Sequence, residues 1–345
     1  MSMKMIKPLL FASTVSAFAL QVQAANVNAI LSWEDVRYND EYNKTGDNTG
    51  QARNYHGYRL DTTISPDNSN WTFSFGIRQN RSKGYTRTVN DTNPAYSSAS
   101  SKPQIEQLIG QRDYQRMDFG VGYRYRFSNG WVQPSINIRQ DKTININGNN
   151  DTFDFYNMDI TYNYNITEQL VWNGRFKPEL IKYEYKRNKA SSNNSKEQQL
   201  HQRATRLGYE LEQGLRYLIT PNWNMEIAYN DIRNRRDDNA QWENSTLTES
   251  NPQLRLYMTY KTNFGLTLSP YVRKSLLGKI KVKNESSGSV EKRDLTRYAM
   301  RVQYQVNNNF TLLGEFYREN VKFTNNPDKA TSKQNYLRLG MRVTF

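Results

Sequence analysis

Met117-Asp118-Phe119-Gly120-Val121-Gly122-Tyr123-Arg124-Tyr125-Arg126-Phe127 divides into two residue sets with a period of two. Odd positions hold Met, Phe, Val, Tyr, Tyr and Phe; even positions hold Asp, Gly, Gly, Arg and Arg. A helix of 3.6 residues per turn would smear those charges around its circumference, whereas a strand gathers them on one face. The same separation recurs in Tyr298-Ala299-Met300-Arg301-Val302-Gln303-Tyr304-Gln305-Val306 and in Tyr156-Asn157-Met158-Asp159-Ile160-Thr161-Tyr162-Asn163-Tyr164. One face bearing arginine and the other almost wholly apolar predicts strands with water on one side and hydrocarbon on the other.

Working outward from these segments, the pattern predicts fourteen strands, over 28–38, 54–65, 70–81, 114–127, 131–143, 152–166, 170–187, 203–219, 223–236, 251–262, 266–278, 294–306, 310–323 and 334–345. Their connections alternate. Pro66-Asp67-Asn68-Ser69, Ser128-Asn129-Gly130, Thr167-Glu168-Gln169, Thr220-Pro221-Asn222, Asn263-Phe264-Gly265 and Asn307-Asn308-Asn309 are tight turns. Gly and Asn tolerate positive φ there, and Pro presets a turn φ. The other links, near 39–53, 82–113, 144–151, 188–202, 237–250, 279–293 and 324–333, are longer and polar. Short turns at one end and long loops at the other predict an all-β fold: a transmembrane antiparallel up-and-down β-barrel of fourteen strands, with short periplasmic turns and long extracellular loops.

The ends and the composition agree. Lys4 and Lys7, the apolar run Pro8–Leu20 and the compact Val22-Gln23-Ala24 read as a signal peptide over 1–24, with the barrel domain over 25–345. Beyond residue 24 no apolar run approaches the roughly 20 residues a membrane helix needs. Mean hydropathy is −0.90, yet the chain holds 24 Tyr, 14 Phe and 6 Trp, unlike disordered sequence, which is poor in aromatics. With no cysteine, a disulfide scaffold and a cysteine metal site are excluded, and only two histidines, His56 and His201, are present. The expectation is therefore no metal, no cofactor and no enzyme activity: a hydrolytic site needs a nucleophile, a base and an acid together, and no serine motif adjoins either histidine. The net charge of +14, +12 without Lys4 and Lys7, is dispersed through alternating segments, so a nucleic-acid partner is not expected.

Fixing the lipid face fixes the inner face. Its predicted pore-lining cations are Arg59, Arg78, Arg116, Arg124, Arg126, Arg139, Arg175, Lys177, Arg206, Arg216, Arg255, Arg273, Arg297, Arg301, Arg338 and Arg342. Its acids are Glu34, Asp61, Asp118, Asp159, Glu179, Glu210, Glu212, Glu226, Glu315 and Glu319. The cationic surplus predicts a positive lumen, and arginine's planar fork suits carboxylates. The plainer alternative is a wall arginine-rich for field and rigidity alone. Tyr257, Tyr271 and Tyr317 also point inward, as sliding surfaces for sugar faces or as filler. Ile105-Glu106-Gln107-Leu108-Ile109, within the longest loop, is a candidate constriction or, equally, a loop packing contact. Trp71, Phe127, Trp131, Tyr164, Trp172, Tyr217, Trp223 and Phe310 read as a periplasmic aromatic girdle. Gln213, Lys182, Asp231, Lys274 and Arg318 fall on the lipid side; Gln213 suggests a bulge, the cations can snorkel, and Asp231 has no evident partner.

The chain closes on Tyr336-Leu337-Arg338-Leu339-Gly340-Met341-Arg342-Val343-Thr344-Phe345, which resembles the terminal strand that outer-membrane barrels present to their assembly machinery. With the strand number, loop alternation and arginine-rich inner faces, the whole chain after residue 24 resembles the monomeric fourteen-stranded sugar porins of the OmpG and CymA type. The smaller KdgM-family oligogalacturonate porins are similar in spirit. The resemblance implies an outer-membrane location, surrounding lipid and lipopolysaccharide, a monomer, recognition of Phe345 by the barrel assembly machinery, and passive diffusion of hydrophilic solutes, anionic sugars among them. A non-specific porin, or a closed-lumen barrel enzyme or adhesin, are the alternatives.

Overall fold

The computed structural model describes residues 25–38, 54–82, 84–90, 104–109, 111–145, 150–189, 198–239, 244–276, 280–325 and 331–345. The predicted signal peptide lies outside them. Fourteen strands form one wall: β1 (Ala25–Tyr38), β2 (Tyr55–Pro66), β3 (Trp71–Ser82), β4 (Arg112–Tyr123, continued by Tyr125–Phe127), β5 (Gly130–Asn145), β6 (Asn150–Asn165) and β7 (Leu170–Lys189). The second half comprises β8 (Gln198–Thr220), β9 (Trp223–Asn239), β10 (Asn244–Lys261), β11 (Leu266–Ser275, continued by Ile280–Asn284), β12 (Val290–Gln305), β13 (Phe310–Phe323) and β14 (Ser332–Thr344). Each strand pairs antiparallel with its sequence neighbours, and β14 returns to β1, from Asn28↔Thr344 to Tyr38↔Gln334. The sheet has no free edge. That satisfies the condition for strands in hydrocarbon, where an unpaired backbone group costs several kcal/mol.

The solvent preference of the wall is inverted. Ile136 is 66% exposed, Met117 57% and Leu207 57%, while Glu34 is 1% exposed and Asn230 0%. Alternation dictates this: directly opposed residues share a face, so the apolar members of each strand fall outward together across the ladder. A continuous apolar belt of this extent is stable only against lipid. Trp71, Phe127, Tyr164, Trp172, Tyr217 and Trp223 stand exposed on the outside near the short turns, as the girdle predicts. Trp131 does not. It is opposed by Arg126 and Asn163 on the inner side, and Arg124 sits over its ring at 4.5 Å.

The long-loop end carries more strand than the periodicity predicts. β7 and β8 stay paired to Lys189↔Gln198, and β9 and β10 to Asn239↔Asn244. Both faces are polar there, so the two-residue contrast vanishes while the ladder persists. Ile280–Asn284 pairs with Val290–Arg293 around a turn in which Gly288 adopts φ 68°. The longest loop holds a hairpin, Tyr85–Asn90 with Gln104–Ile109. The side chains of Ile105–Ile109 lie outside the described residues, and with them the predicted constriction.

Candidate functional site: the inner wall of the barrel

Hydrogen-bonding rows run around the barrel, and each inward row can be followed from strand to strand. One passes Arg126, Trp131, Asn163, Asn173, Gly214, Ala228, Arg255, Arg273, Arg297, Glu319 and Gln334. Another sets Arg59, Arg78 and Arg116 side by side on β2, β3 and β4. β3 and β11 lie on nearly opposite sides of the fourteen-stranded wall, so the two arginine triplets face each other across the interior. All sixteen cations predicted for the inner face occupy inward register positions, as do Tyr257, Tyr271 and Tyr317.

Like charges directly opposed on neighbouring strands repel, so each triplet needs acids. In the first, Arg59 Nε lies 2.6 Å from Asp61, Arg78 Nε 3.1 Å from Glu34, and Arg116 binds Asp141 through Nε at 2.9 Å and a terminal nitrogen at 3.2 Å. Every member is compensated. In the second, Arg255 binds Glu212 and Asn230, and Arg297 Nε donates to Glu319 at 2.8 Å. Arg273, between them, has no carboxylate within ion-pair distance among the described residues. Its Nε is buried without a hydrogen-bond acceptor, and its charge rests only over the Tyr271 ring, 5.4 Å away. Arg126, Arg216 and Arg342 likewise form no ion pair among the described residues, whereas Arg175 pairs with Asp159, Arg301 with Glu315 and Arg338 with Asp61. Lys177 and Arg206 share Glu179, and Arg139 approaches Asp141 at 3.3 Å. Arg124 donates to Gln133 at 2.8 Å. The wall is thus a lattice of neutralised pairs with a few uncompensated guanidiniums.

Asp141 is a site residue that the sequence reading missed. It stands two positions after Arg139 and so shares its phase; the signal was there. The tyrosines are also more numerous than predicted. A single inward row carries Tyr257, Tyr271, Ala299, Tyr317, Tyr336, Val36 and Tyr55. Tyr317 stacks on Tyr336 with centroids 4.6 Å apart, Tyr257 leans on Tyr271 at 5.7 Å, and the Tyr336 hydroxyl donates to Glu34 at 3.1 Å. A second aromatic group, Phe153, Tyr183 and Tyr185, packs on the inner side of β6 and β7.

The outward exceptions resolve locally. Gln213 needs no bulge: the register through it is continuous on both sides. Its carboxamide oxygen accepts from Trp172 Nε1 at 3.1 Å and from the Tyr162 hydroxyl, so the polar group is carried in the girdle by two donors. Asp231 accepts from Arg233 Nε at 2.8 and 3.0 Å, two residues on along the same face. Lys274 donates to Asp294 at 2.8 Å, and Lys182 lies 5.6 Å from the Tyr156 ring centre. His56 sits on the outer side of β2, opposed by Asp35 and Arg81. His201 lies on β8, opposite Lys186, and its side chain is outside the described residues. Five strands, β3 to β7, lie between the two histidine-bearing strands.

No family model matches the sequence, and no curated protein matches it. Among solved structures the barrel is similar to a FadL homologue of Pseudomonas aeruginosa, with 7% identity, 93% of this chain and 90% of that chain covered, and a TM-score of 0.52. It is similar also to the CymD monoaromatic hydrocarbon channel, at 8% identity, 96% and 91% coverage and a TM-score of 0.51. At such identities the likeness is one of fold: a fourteen-stranded barrel of the outer membrane. The CymD neighbour is a hydrocarbon channel, not a sugar porin of the kind the sequence resembles, so the nature of the solute has to come from the inner wall itself.

Proposed function

We propose that this barrel is a passive diffusion channel for small hydrophilic solutes, with a preference for anions such as acidic oligosaccharides. The observation that carries the reading is Arg273, a guanidinium on the inner wall flanked by Arg255 and Arg297 and matched by no carboxylate among the described residues. An anion entering its field gains attraction without first displacing a resident acid. Conduction requires attraction that is shallow and spread over several sites, and Arg126 and Arg342 supply further uncompensated charge at other heights. The tyrosine row gives sugar faces apolar contact with a hydroxyl handle. A wall this rich in ion pairs offers little to an apolar cargo. The channel works as a monomer, and the Phe345 strand is the element its assembly machinery reads. Reversal potentials of the refolded full chain in a planar bilayer under a KCl gradient test the proposal. A chloride-selective potential, with current block by galacturonate oligomers, is expected; cation selectivity, or no conductance at all, overturns it.

A further inference from the structure

On the outer side of the wall, beyond the upper edge of the apolar belt, a cavity of ≈ 470 Å³ opens across β8 to β11. Two adjacent outward rows build it. One runs Tyr209, Arg233, Ser250, Lys281; the other runs Leu207, Arg235, Thr248, Lys283. Two arginines on β9 therefore face two lysines on the continuation of β11, with the small hydroxyl residues of β10 as the floor between them. Strands spaced about 4.8 Å apart put the two cationic pairs roughly 10 Å from each other, room for one phosphate-sized anion reached from both sides.

The acids beside the two arginines hold them without occupying their anion-binding edges. Asp231 takes Arg233 by Nε, and Asp237 takes Arg235 by Nε at 3.3 Å. Among the described residues neither guanidinium bonds through its terminal nitrogens, the edge that grips phosphate. Lys283 is paired with Glu285 at 2.5 Å, which Thr248 also donates to at 2.9 Å, so the cations open to an anion in the cradle are Arg233, Arg235 and Lys281. Lys281 is opposed across β12 by Lys292, so this corner stays cationic. On the β8 side of the cradle, Leu207 is 57% exposed and Tyr209 37%, and from there the outward surface continues apolar toward the short turns. A polar anionic head set directly above an acyl-compatible surface describes one class of molecule.

We propose that this cradle binds a phosphate of a phosphorylated glycolipid of the outer leaflet, with an acyl chain lying along Leu207 and Tyr209. The long loops emerge at this end, which is the outward side of an outer-membrane barrel. The inference rests on the fold and the outer wall, not on what passes through the lumen.

Native mass spectrometry of the full chain, refolded in detergent and titrated with bisphosphorylated lipid A, tests it. Expected is a stoichiometric adduct that weakens about a hundredfold in R235Q/K281Q, since each of the two lost charge-assisted phosphate contacts is worth about a factor of ten. Dephosphorylated lipid A should bind as weakly as the variant. The control K274Q/R318Q, on the same outer face away from the cavity, should bind as the parent does. Heat-modifiable migration verifies that both variants fold; if R235Q/K281Q does not, the single R235Q and K281Q variants are titrated instead. Unchanged affinity in the folded variant overturns the proposal, as does equal binding of phosphatidylglycerol or of inorganic phosphate. Bilayer conductance, which this site does not touch, should be the same in all forms.

Discussion

Arg273→Gln separates field from scaffold. The residue lies between Arg255 and Arg297 on directly opposed positions, where side chains start about 5 Å apart. Removing its charge deletes two like-charge contacts, each worth up to about 1 kcal/mol, and breaks no ion pair among the described residues. Folding stability should stay level or rise slightly. For a solute anion passing about 6 Å away, one unit charge contributes about 0.7 kcal/mol at bulk dielectric and about 3 kcal/mol at an effective value of 20. Water in the lumen favours the lower figure, a factor of about three for each ion; chloride loses attraction while potassium loses repulsion, so the chloride-to-potassium permeability ratio should fall about tenfold. The drop should shrink in 1 M salt, where the Debye length is about 3 Å instead of about 10 Å at 0.1 M. Zero-current potentials at both concentrations, with urea unfolding in lipid vesicles, read both effects. Arg255→Gln serves as contrast, because it removes the guanidinium shared by Glu210 and Glu212, leaving Glu212 without an ion-pair partner among the described residues, and should destabilise. An Arg273→Gln barrel of unaltered selectivity, or one that unfolds more easily than the parent, would refute the reasoning.

Further outcomes follow from the same geometry. Glu34→Gln removes the buried carboxylate that meets Arg78, Asn80 and Tyr336, and should cost about 3 kcal/mol, typical of a broken buried pair, as a shifted urea midpoint. In the girdle, the double change Trp172→Phe with Tyr162→Phe orphans Gln213 and should cost about 1–3 kcal/mol. Adding Gln213→Leu should recover most of that loss, and a double-mutant cycle lacking such coupling would sink the account. Deleting Phe345 should leave refolding into detergent nearly intact, because only the Val27 bonds at 2.9 and 3.1 Å are lost, while surface display in cells falls severalfold if the assembly machinery reads this residue.

Strand number, closure and sidedness were legible because each face of each strand meets a different solvent, and a two-residue period records that directly. The inward placement of Arg59 through Arg342 follows from the same phase. Pairing partners were less legible. That Arg116 meets Asp141, or that Arg273 meets no acid, depends on register between strands, which alternation within one strand does not encode. Trp131 misled for a related reason: near the turns, aromatic content stops reporting the face, since a ring can stack on Arg124 inside as well as sit at a headgroup outside. The ladder beyond the membrane, at Lys189↔Gln198 and Asn239↔Asn244, was illegible because water wets both sides.

The seam between β1 and β14 has a consequence for how the molecule comes together. Every other pairing joins strands adjacent in sequence, so those hairpins can zip locally; only this junction unites the two ends of the chain. Its inner side is cross-stitched by Tyr336 to Glu34, Arg338 to Ser32 and Asp61, and Thr344 to Asn28. A half-open intermediate would therefore leave Glu34 and Arg338 facing lipid or water with part of their partners missing, as well as two bare strand edges. Closing the cylinder and completing its electrostatic lining are one event, so the last step of assembly satisfies the two bare edges and these inner contacts together.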